Sequence, residues 1–314
     1  MELRKDYILD RWVFIASERK KRPHEFKKKE VKEETKVCFF CPGNEKLTPP
    51  EIGRKQEKKK WYFRWFPNKF PVVKKQGNPE IKTDNDFFTF SSGYGSHEVI
   101  VETPDHNKQL WDLDKTRLTE LLEIYKQRID HLNKQPNIKY TLLFKNHGRQ
   151  AGTSLLHSHT QLVSLNKVPR LVEDEINASK KYDNCPYCRI IEIEKGSDRR
   201  CYENNTFLAF TPYASRFNFE IWVFPKRHIK TLDEMEEEEF KDLAEILKNI
   251  LKKLKEINVA YNFFIHYAPK GKDLHLHIEI IPRIAAWAGF EYGSNDIINS
   301  VAPEDAARYY RGEE

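Results

Sequence analysis

Long apolar runs are missing from this chain, and their absence removes one class of protein: no stretch of its 314 residues approaches a membrane span. The segment Met1 to Lys5 is charged and is followed by no apolar stretch of signal-peptide length, so the chain is expected to be cytoplasmic, without a membrane partner. A strong charge excess is missing too. The net charge is +6, and much of it sits in runs such as Lys27-Lys28-Lys29 and Lys58-Lys59-Lys60, which read as a solvated basic face and demand no nucleic-acid partner. Methionine is scarce, with 2 residues, while Lys and Glu are prominent, a balance also seen in proteins from hot environments. Cysteine is scarce as well, and four of the 5 fall into two CxxC pairs, Cys38/Cys41 and Cys185/Cys188. In a reducing compartment such pairs suggest metal ligation before disulfides. Cys201 stands apart and is expected to be structural.

What is present is enough apolar material for a core. Hydrophobic residues make up 39% of the chain and aromatics 13%, and the length allows two ordinary domains or one large one. One layout occurs twice. The first half reads Cys38-x-x-Cys41, then His106-Asn107-Lys108-Gln109-Leu110, an amphipathic stretch, and His157-x-His159. The second reads Cys185-x-x-Cys188, then His228-Ile229-Lys230-Thr231-Leu232, another amphipathic stretch, and His275-x-His277. Leu118, Leu121, Leu122, Tyr125 and Ile129 recur at helical spacing in one copy, as do Phe240, Leu243, Leu247, Leu251 and Leu254 in the other. Strand-like runs flank both: Glu98 to Glu102 and Tyr140 to Phe144 in the first half, Phe219 to Phe224 and Tyr261 to Ile265 in the second. The fold class is therefore α+β, with two repeats of mostly antiparallel sheet and one long helix each, expected at 1–170 and 171–314. The charged stretch from Asn166 to Asn184 shows no clear strand pattern and is expected to connect them.

The run His157-Ser158-His159-Thr160-Gln161 carries the chemistry. In a strand, His157, His159 and Gln161 would project from one face, bringing two imidazoles and an amide to one site. Imidazole can attack phosphorus as an uncharged nucleophile near neutral pH, and a carboxamide can donate to a phosphoryl oxygen. The competing reading is a pair of structural histidines in a zinc-stabilised binding module. Its echo, His275-Leu276-His277-Ile278-Glu279, ends in a carboxylate, which would repel a phosphoryl group, so the second copy is expected to be inactive.

The same order of ligand types occurs twice: Cys38, Cys41, His106 and His157, then Cys185, Cys188, His228 and His275. Two thiolates and two imidazoles make a closed tetrahedral zinc set with no position left for a substrate water, so two structural zinc ions per chain are expected. Ordinary buried thiols are the alternative. A zinc-finger module is disfavoured, because its ligands lie within about 30 residues, whereas a strand-bearing segment separates Cys41 from His106.

Several motifs together resemble the galactose-1-phosphate uridylyltransferase family, a two-repeat branch of the histidine-triad superfamily. They are Arg19-Lys20-Lys21-Arg22-Pro23, Cys38 to Gly43, Pro67-Asn68-Lys69-Phe70-Pro71, His97-Glu98-Val99 through His106, Asn146 through Gly152-Thr153-Ser154 to Gln161, and Gly289-Phe290-Glu291. The resemblance implies tandem histidine-triad-like repeats and a nucleotidyltransferase acting on a nucleotide sugar and a sugar 1-phosphate, as in galactose metabolism. It implies that His159 is the nucleophile and that Gln161 stabilises the nonbridging oxygens where triad hydrolases carry a third His. It further implies that Arg19 and Arg22 contact nucleotide phosphates, that Asn68 and Asn146 contact the nucleotide, that Gly152, Thr153 and Ser154 form a donor loop, and that Glu291 meets the hexose. A homodimer with its site near the subunit boundary is implied too. Serine between the two histidines, the second CxxC and the run Gly289 to Ser294 resemble the branch containing plant-type ADP-glucose phosphorylase. The choice of uracil or adenine, and of sugar phosphate or inorganic phosphate as acceptor, stays open at this point.

Overall fold

The computed structural model describes residues 1–21 and 37–313. Its strands are β1 (Glu2–Lys5), β2 (Trp12–Ile15), β3 (Gly53–Glu57), β4 (Lys60–Pro67), β5 (Lys82–Asp84), β6 (Phe88–Phe90), β7 (Gly95–Val101), β8 (Tyr140–His147), β9 (His159–Leu165), β10 (Arg200–Glu203), β11 (Phe207–Phe210), β12 (Ile221–Pro225), β13 (Tyr261–His266), β14 (His277–Pro282) and β15 (Ile297–Asn299). Its α-helices are α1 (Lys115–Asn133), α2 (Arg170–Ser179), α3 (Pro186–Lys195), α4 (Glu237–Glu256), α5 (Gly289–Ser294) and α6 (Pro303–Arg311).

Ten strands join in one antiparallel sheet, ordered β10-β11-β12-β14-β13-β8-β9-β7-β4-β3. The order mirrors itself about the β8–β13 seam, where Tyr261 lies opposite His147 and Ile265 opposite Leu143. On either side the chain runs strand, long helix, hairpin: β7-α1-β8-β9, then β12-α4-β13-β14. The first strands leave this plan. β1 and β2 pair with β15 in a separate sheet that packs on the second half, with Val13 and Ile15 against Ala214 and Ile297.

The long helices form where the sequence prescribes them. Asp114 caps α1 by accepting the Arg117 N–H at 2.8 Å, and Leu118, Leu121, Leu122, Tyr125, Ile129 and Leu132 are buried along one stripe. In α4 the Glu239 carboxylate reaches back to the Glu236 N–H at 2.7 Å, while Glu237 to Glu239 open the helix and Lys253 and Lys255 close it, each sign matching its end of the dipole. The two helices pack on each other and cover one face of the sheet. Strand alternation then decides which side chains remain for a site. In β7, β8 and β9, Ile100, Leu143 and Leu162 join the core under the helices, whereas Val99, Phe144, Asn146, His159 and Gln161 line a cleft on the opposite face.

The stretch expected to connect the repeats contains α2, which buries Val172, Glu175 and Ile176 on one side. Its apolar positions are too few to stand out among the surrounding charges.

Candidate active site

The cleft has a volume of about 520 Å³. Phe39, Phe40, Leu47, Pro49 and Phe66 make its apolar part, and Asn68, Asn146, Thr153, Ser154, His159 and Gln161 supply polar groups. An apolar enclosure with a few converging polar groups is the usual form of a small-molecule site.

His159 opens β9 and is 7% exposed. Its Nδ1 lies 2.8 Å from the main-chain oxygen of His157, an acceptor, so Nδ1 carries the proton and Nε2 keeps its lone pair. Burial, reinforced by the charge of Lys145, pushes its pKa down to about 4. The ring is therefore neutral near pH 7, the form a nucleophile requires.

His157 lies just before β9 instead of sharing its cleft face. Its Nε2 is 2.7 Å from the Thr103 carbonyl oxygen, which places the proton there and leaves Nδ1 to face Cys38 at 3.5 Å and Cys41 at 3.6 Å. His106 Nδ1 is 3.4 Å from Cys41 Sγ. A tetrahedral zinc would separate a thiolate sulfur and an imidazole nitrogen by about 3.5 Å, so the four donors fit such an ion. The second set repeats this arrangement: His275 Nδ1 lies 3.9 Å from Cys185 and 3.5 Å from Cys188, and His228 Nδ1 lies 3.5 Å from Cys188. His275 Nε2 donates to the Pro225 carbonyl at 3.0 Å, and Asp273 lies 2.9 Å from His228 Nε2. Such outer partners fix the ligating tautomer.

Beneath the histidines, on the helix side of the sheet, lies a buried polar network. Glu102 accepts from Ser158 Oγ at 2.5 Å, Tyr125 Oη at 2.9 Å, Thr160 Oγ1 and Lys145 Nζ. Lys145 also donates to the His159 carbonyl at 3.0 Å and to Ser158 Oγ at 3.1 Å. Burial alone would raise the carboxyl pKa of Glu102, but Lys145 and the hydroxyl donors outweigh it and hold it below the ordinary value.

The other expected residues divide into two groups. Asn68, Asn146, Gly152, Thr153, Ser154 and Gln161 line the cleft. Gly152 has φ +87° and open space where a Cβ would stand, so the left-handed turn of the loop, not crowding, calls for glycine there. Arg19 and Glu291 are not among the lining residues: Arg19 follows β2 in a short 3₁₀ turn, and Glu291 lies in α5, where its side chain accepts the Ala288 N–H at 2.9 Å. Arg22 lies outside the described residues.

Two residues with a part in this geometry are not among the expected site residues, although His97 opens one of the motifs. Asn262 of β13 donates to Asn146 Oδ1 and to the Ala151 carbonyl, each at 2.8 Å, so the second half orients the first half's amide and loop. His97 of β7 meets Gln161 Oε1 at 3.0 Å through Nε2. Both act across strand register, which the motifs do not display.

The corresponding place in the second half is filled. His277 Nδ1 reaches the His275 carbonyl at 2.9 Å, repeating the His159 geometry. Its Nε2, however, faces carboxylates, 3.7 Å from Glu279 and 4.0 Å from Glu175 of α2. Arg216 bonds both Glu279 and Glu220, and Glu175 bonds His266 at 3.0 Å. Glu175, His266, His277 and Glu279 stand close enough to share a cation, but Arg216 already balances Glu279 there.

The chain is an enzyme of the nucleotidyltransferase class, by its relation to known enzymes. The chain belongs to the galactose-1-phosphate uridylyltransferase family: the family described as galactose-1-phosphate uridyl transferase, N-terminal domain, matches residues 1–169. A second, described as scavenger mRNA decapping enzyme C-term binding, matches residues 184–285. ADP-glucose phosphorylase of Arabidopsis thaliana is 33% identical over 99% of this chain and 92% of its own length. Galactose-1-phosphate uridylyltransferase of Thermotoga maritima is 31% identical, covering 99% and 98%. The crystal structure of the Arabidopsis ADP-glucose phosphorylase with bound ADP-glucose superposes with a TM-score of 0.86 at 31% identity, over 100% of this chain and 99% of that one.

Proposed function

We propose that the enzyme transfers a uridylyl group from UDP-glucose to a hexose 1-phosphate, galactose 1-phosphate in the first instance, by double displacement on His159. The observation that carries this reading is the neutral His159, proton on Nδ1 and lone pair on Nε2, on the same strand face of the cleft as the Gln161 amide. Nε2 attacks the α-phosphorus, the bond to the sugar phosphate breaks, and glucose 1-phosphate leaves without strong acid help. The nucleotidyl group stays on Nε2 while Nδ1–H remains bonded to the His157 carbonyl, which stabilises the positive charge the ring acquires. The second sugar phosphate then attacks phosphorus and His159 departs, restoring the free imidazole. Gln161 donates to a nonbridging oxygen. As an amide it moves no proton for water, so transfer prevails over hydrolysis.

Zinc in each Cys2His2 set is part of the proposal, with Cys38, Cys41, His106 and His157 as one ligand group and Cys185, Cys188, His228 and His275 as the other. Its role is structural; in the first half it would fix His157, whose carbonyl holds the His159 ring. The two halves, 1–170 and 171–314, are read as tandem histidine-triad-like repeats, the second without catalysis.

A cytoplasmic homodimer completes the reading. No described helix is long and apolar enough to cross a membrane. The β5–β6 hairpin leaves Phe87, Phe88 and Phe90 exposed, and Phe70, at the cleft, is 81% exposed, an apolar surface suited to a second subunit. A dimer would also give Arg19 and Glu291 a route to a cleft across the subunit boundary.

A second reading, adenylyl transfer from ADP-glucose to inorganic phosphate, draws on the relation to the Arabidopsis enzyme. Intact-mass spectrometry after incubation with UDP-glucose or ADP-glucose decides between them. A uridylyl adduct supports the first, an adenylyl adduct the second, and no adduct with either nucleotide sugar would remove the covalent mechanism.

A further inference from the structure

We propose that His97 is the positioning residue that locks the Gln161 side chain with its N–H donors toward the transferred phosphoryl group. This rests on the reading of Gln161 given above. An amide has two nearly isosteric ends, and rotation about its last torsion exchanges a donor for an acceptor. With Oε1 toward the phosphoryl group, Gln161 would oppose the reaction; with Nε2 toward it, Gln161 stabilises the charge. The motif names the residue and leaves its orientation unspecified.

The surroundings of His97 specify it. The Val72 N–H donates to His97 Nδ1 at 3.3 Å, so Nδ1 is the unprotonated nitrogen and Nε2 carries the hydrogen. That hydrogen is donated to Gln161 Oε1 at 3.0 Å, which holds the carbonyl end on the His97 ring, where Asn68 Nδ2 also lies 3.1 Å from Nε2. Burial keeps the His97 pKa below its ordinary value, preserving this neutral tautomer. The ring is held in turn from behind: the next residue, Glu98, points to the other face of β7 and forms a buried two-pronged pair with Arg128 at 2.8 and 2.9 Å. His97 is therefore a fixed donor on a braced strand.

The second half offers an internal comparison. Val99 lies opposite Gln161, and Trp222 lies opposite Glu279, so Glu220 occupies the place of His97. A carboxylate there has no hydrogen to give Glu279, and Arg216 bridges the two instead. The donor at this strand position and the amide two residues across go together in the open site and are both replaced in the filled one.

The test is a double-mutant cycle on the rate of nucleotidyl-enzyme formation, measured in single turnover at saturating UDP-glucose and ADP-glucose in the zinc-loaded full-length protein. Gln161→Ala is expected to slow the step by roughly 10²-fold, the scale for loss of one preorganised donor. His97→Phe is expected to slow it by at least about 10-fold with little change in apparent substrate affinity, as befits an interaction made in the transition state. His97→Gln, which can still donate, should recover most of the rate. The deciding measurement is His97→Phe in the Gln161→Ala background, where the second substitution should add less than about 2-fold because its partner is gone. Multiplying losses in the double variant would overturn the proposal, as would a full rate in His97→Phe. A full rate in Gln161→Ala would overturn the reading of Gln161 itself, and the His97 proposal with it. Should His97→Phe fail to fold, as judged by its thermal transition, His97→Met takes its place in the same cycle.

Discussion

Lys145 and Glu102 form an ion pair sealed between the helices and the nucleophile strand, at 1% and 0% side-chain exposure, and Lys145 also donates to the main-chain oxygen of His159. The pair ties β8, β9 and the end of β7 together at the point where the imidazole turns into the cleft. After burial, the Lys145 charge is what keeps that imidazole neutral, against the opposing pull of Glu102.

Breaking the pair from one side should be costly. Lys145→Met leaves the Glu102 carboxylate buried without its countercharge, and a loss of about 3–5 kcal/mol in unfolding free energy is expected. Combining it with Glu102→Gln removes the stranded charge and should recover a large part of that loss. Urea unfolding midpoints of wild type, the single variant and the double variant measure both. A double variant no more stable than Lys145→Met would show that the network, not the uncompensated charge, sets the cost.

The two metal sets should respond differently to ligand loss. Each is expected to support folding, since structural zinc in small modules contributes on the order of 10 kcal/mol; elemental analysis should find two zinc ions per chain, and chelation should lower thermal stability more than turnover in the protein that survives. Cys185→Ser should then act mainly on stability. Cys38→Ser should in addition slow nucleotidyl transfer, because Cys38 faces His157, whose carbonyl holds the His159 ring. Equal specific activity in the two folded variants would show that the first site does not reach the nucleophile.

Much of this was legible in the sequence because it depends on local period and spacing. The apolar stripes of α1 and α4, the strand-like runs before and after them, and the two ordered Cys-Cys-His-His sets are all patterns within one segment. What was hidden depends on register between segments. His97 meets Gln161, and Asn262 meets Asn146, because antiparallel pairing places them diagonally or directly opposite, although they stand 64 and 116 positions apart in the sequence. His157 departs from the strand face that alternation assigns it because its ring turns to the thiolates. The filled second site likewise needs Glu175, delivered by a helix whose apolar stripe is too short to recognise among charges. Repulsion by Glu279 alone is not the reason that site is closed; the carboxylate is neutralised by Arg216, and the space itself is occupied.

Stability should fall on mild acidification, in part through His147. Its ring lies between Trp111, at 4.4 Å, and Tyr261, at 4.9 Å, and burial, together with the Lys145 charge, pushes its pKa from 6.5 down to about 4. The unfolded chain takes up the proton at its ordinary pKa and the folded ring does not. The contribution is therefore complete above about pH 6.5 and is lost progressively as pH falls toward 4, by about 2 kcal/mol between pH 7 and pH 5. His147→Phe keeps the ring contacts and removes the titration. Its unfolding free energy should show a shallower decline over this range than that of wild type; parallel declines would assign the acid sensitivity to other groups.

The sharpest contrast the fold offers is between two histidines in the same local geometry. His159 and His277 each open a strand and each donate from Nδ1 to the carbonyl of the histidine two residues before, at 2.8 and 2.9 Å. Around His159 the strand face opens on the cleft, whereas His277 is closed in by Glu175, Glu279 and the guanidinium of Arg216. A nucleotide sugar cannot approach a nitrogen so enclosed. His159→Ala should therefore abolish both the nucleotidyl adduct and turnover while leaving the thermal transition near that of wild type. His159→Gly should do the same, with added imidazole restoring part of the adenylyl or uridylyl transfer as free nucleotidyl-imidazole. His277→Ala should reverse the pattern: the adduct forms at a rate within a few-fold of wild type, and the loss appears in stability, on the order of 1–3 kcal/mol for a buried polar network left unsatisfied. Equal losses of turnover from the two alanine variants, at matched folded fraction, would show that the repeats share the chemistry.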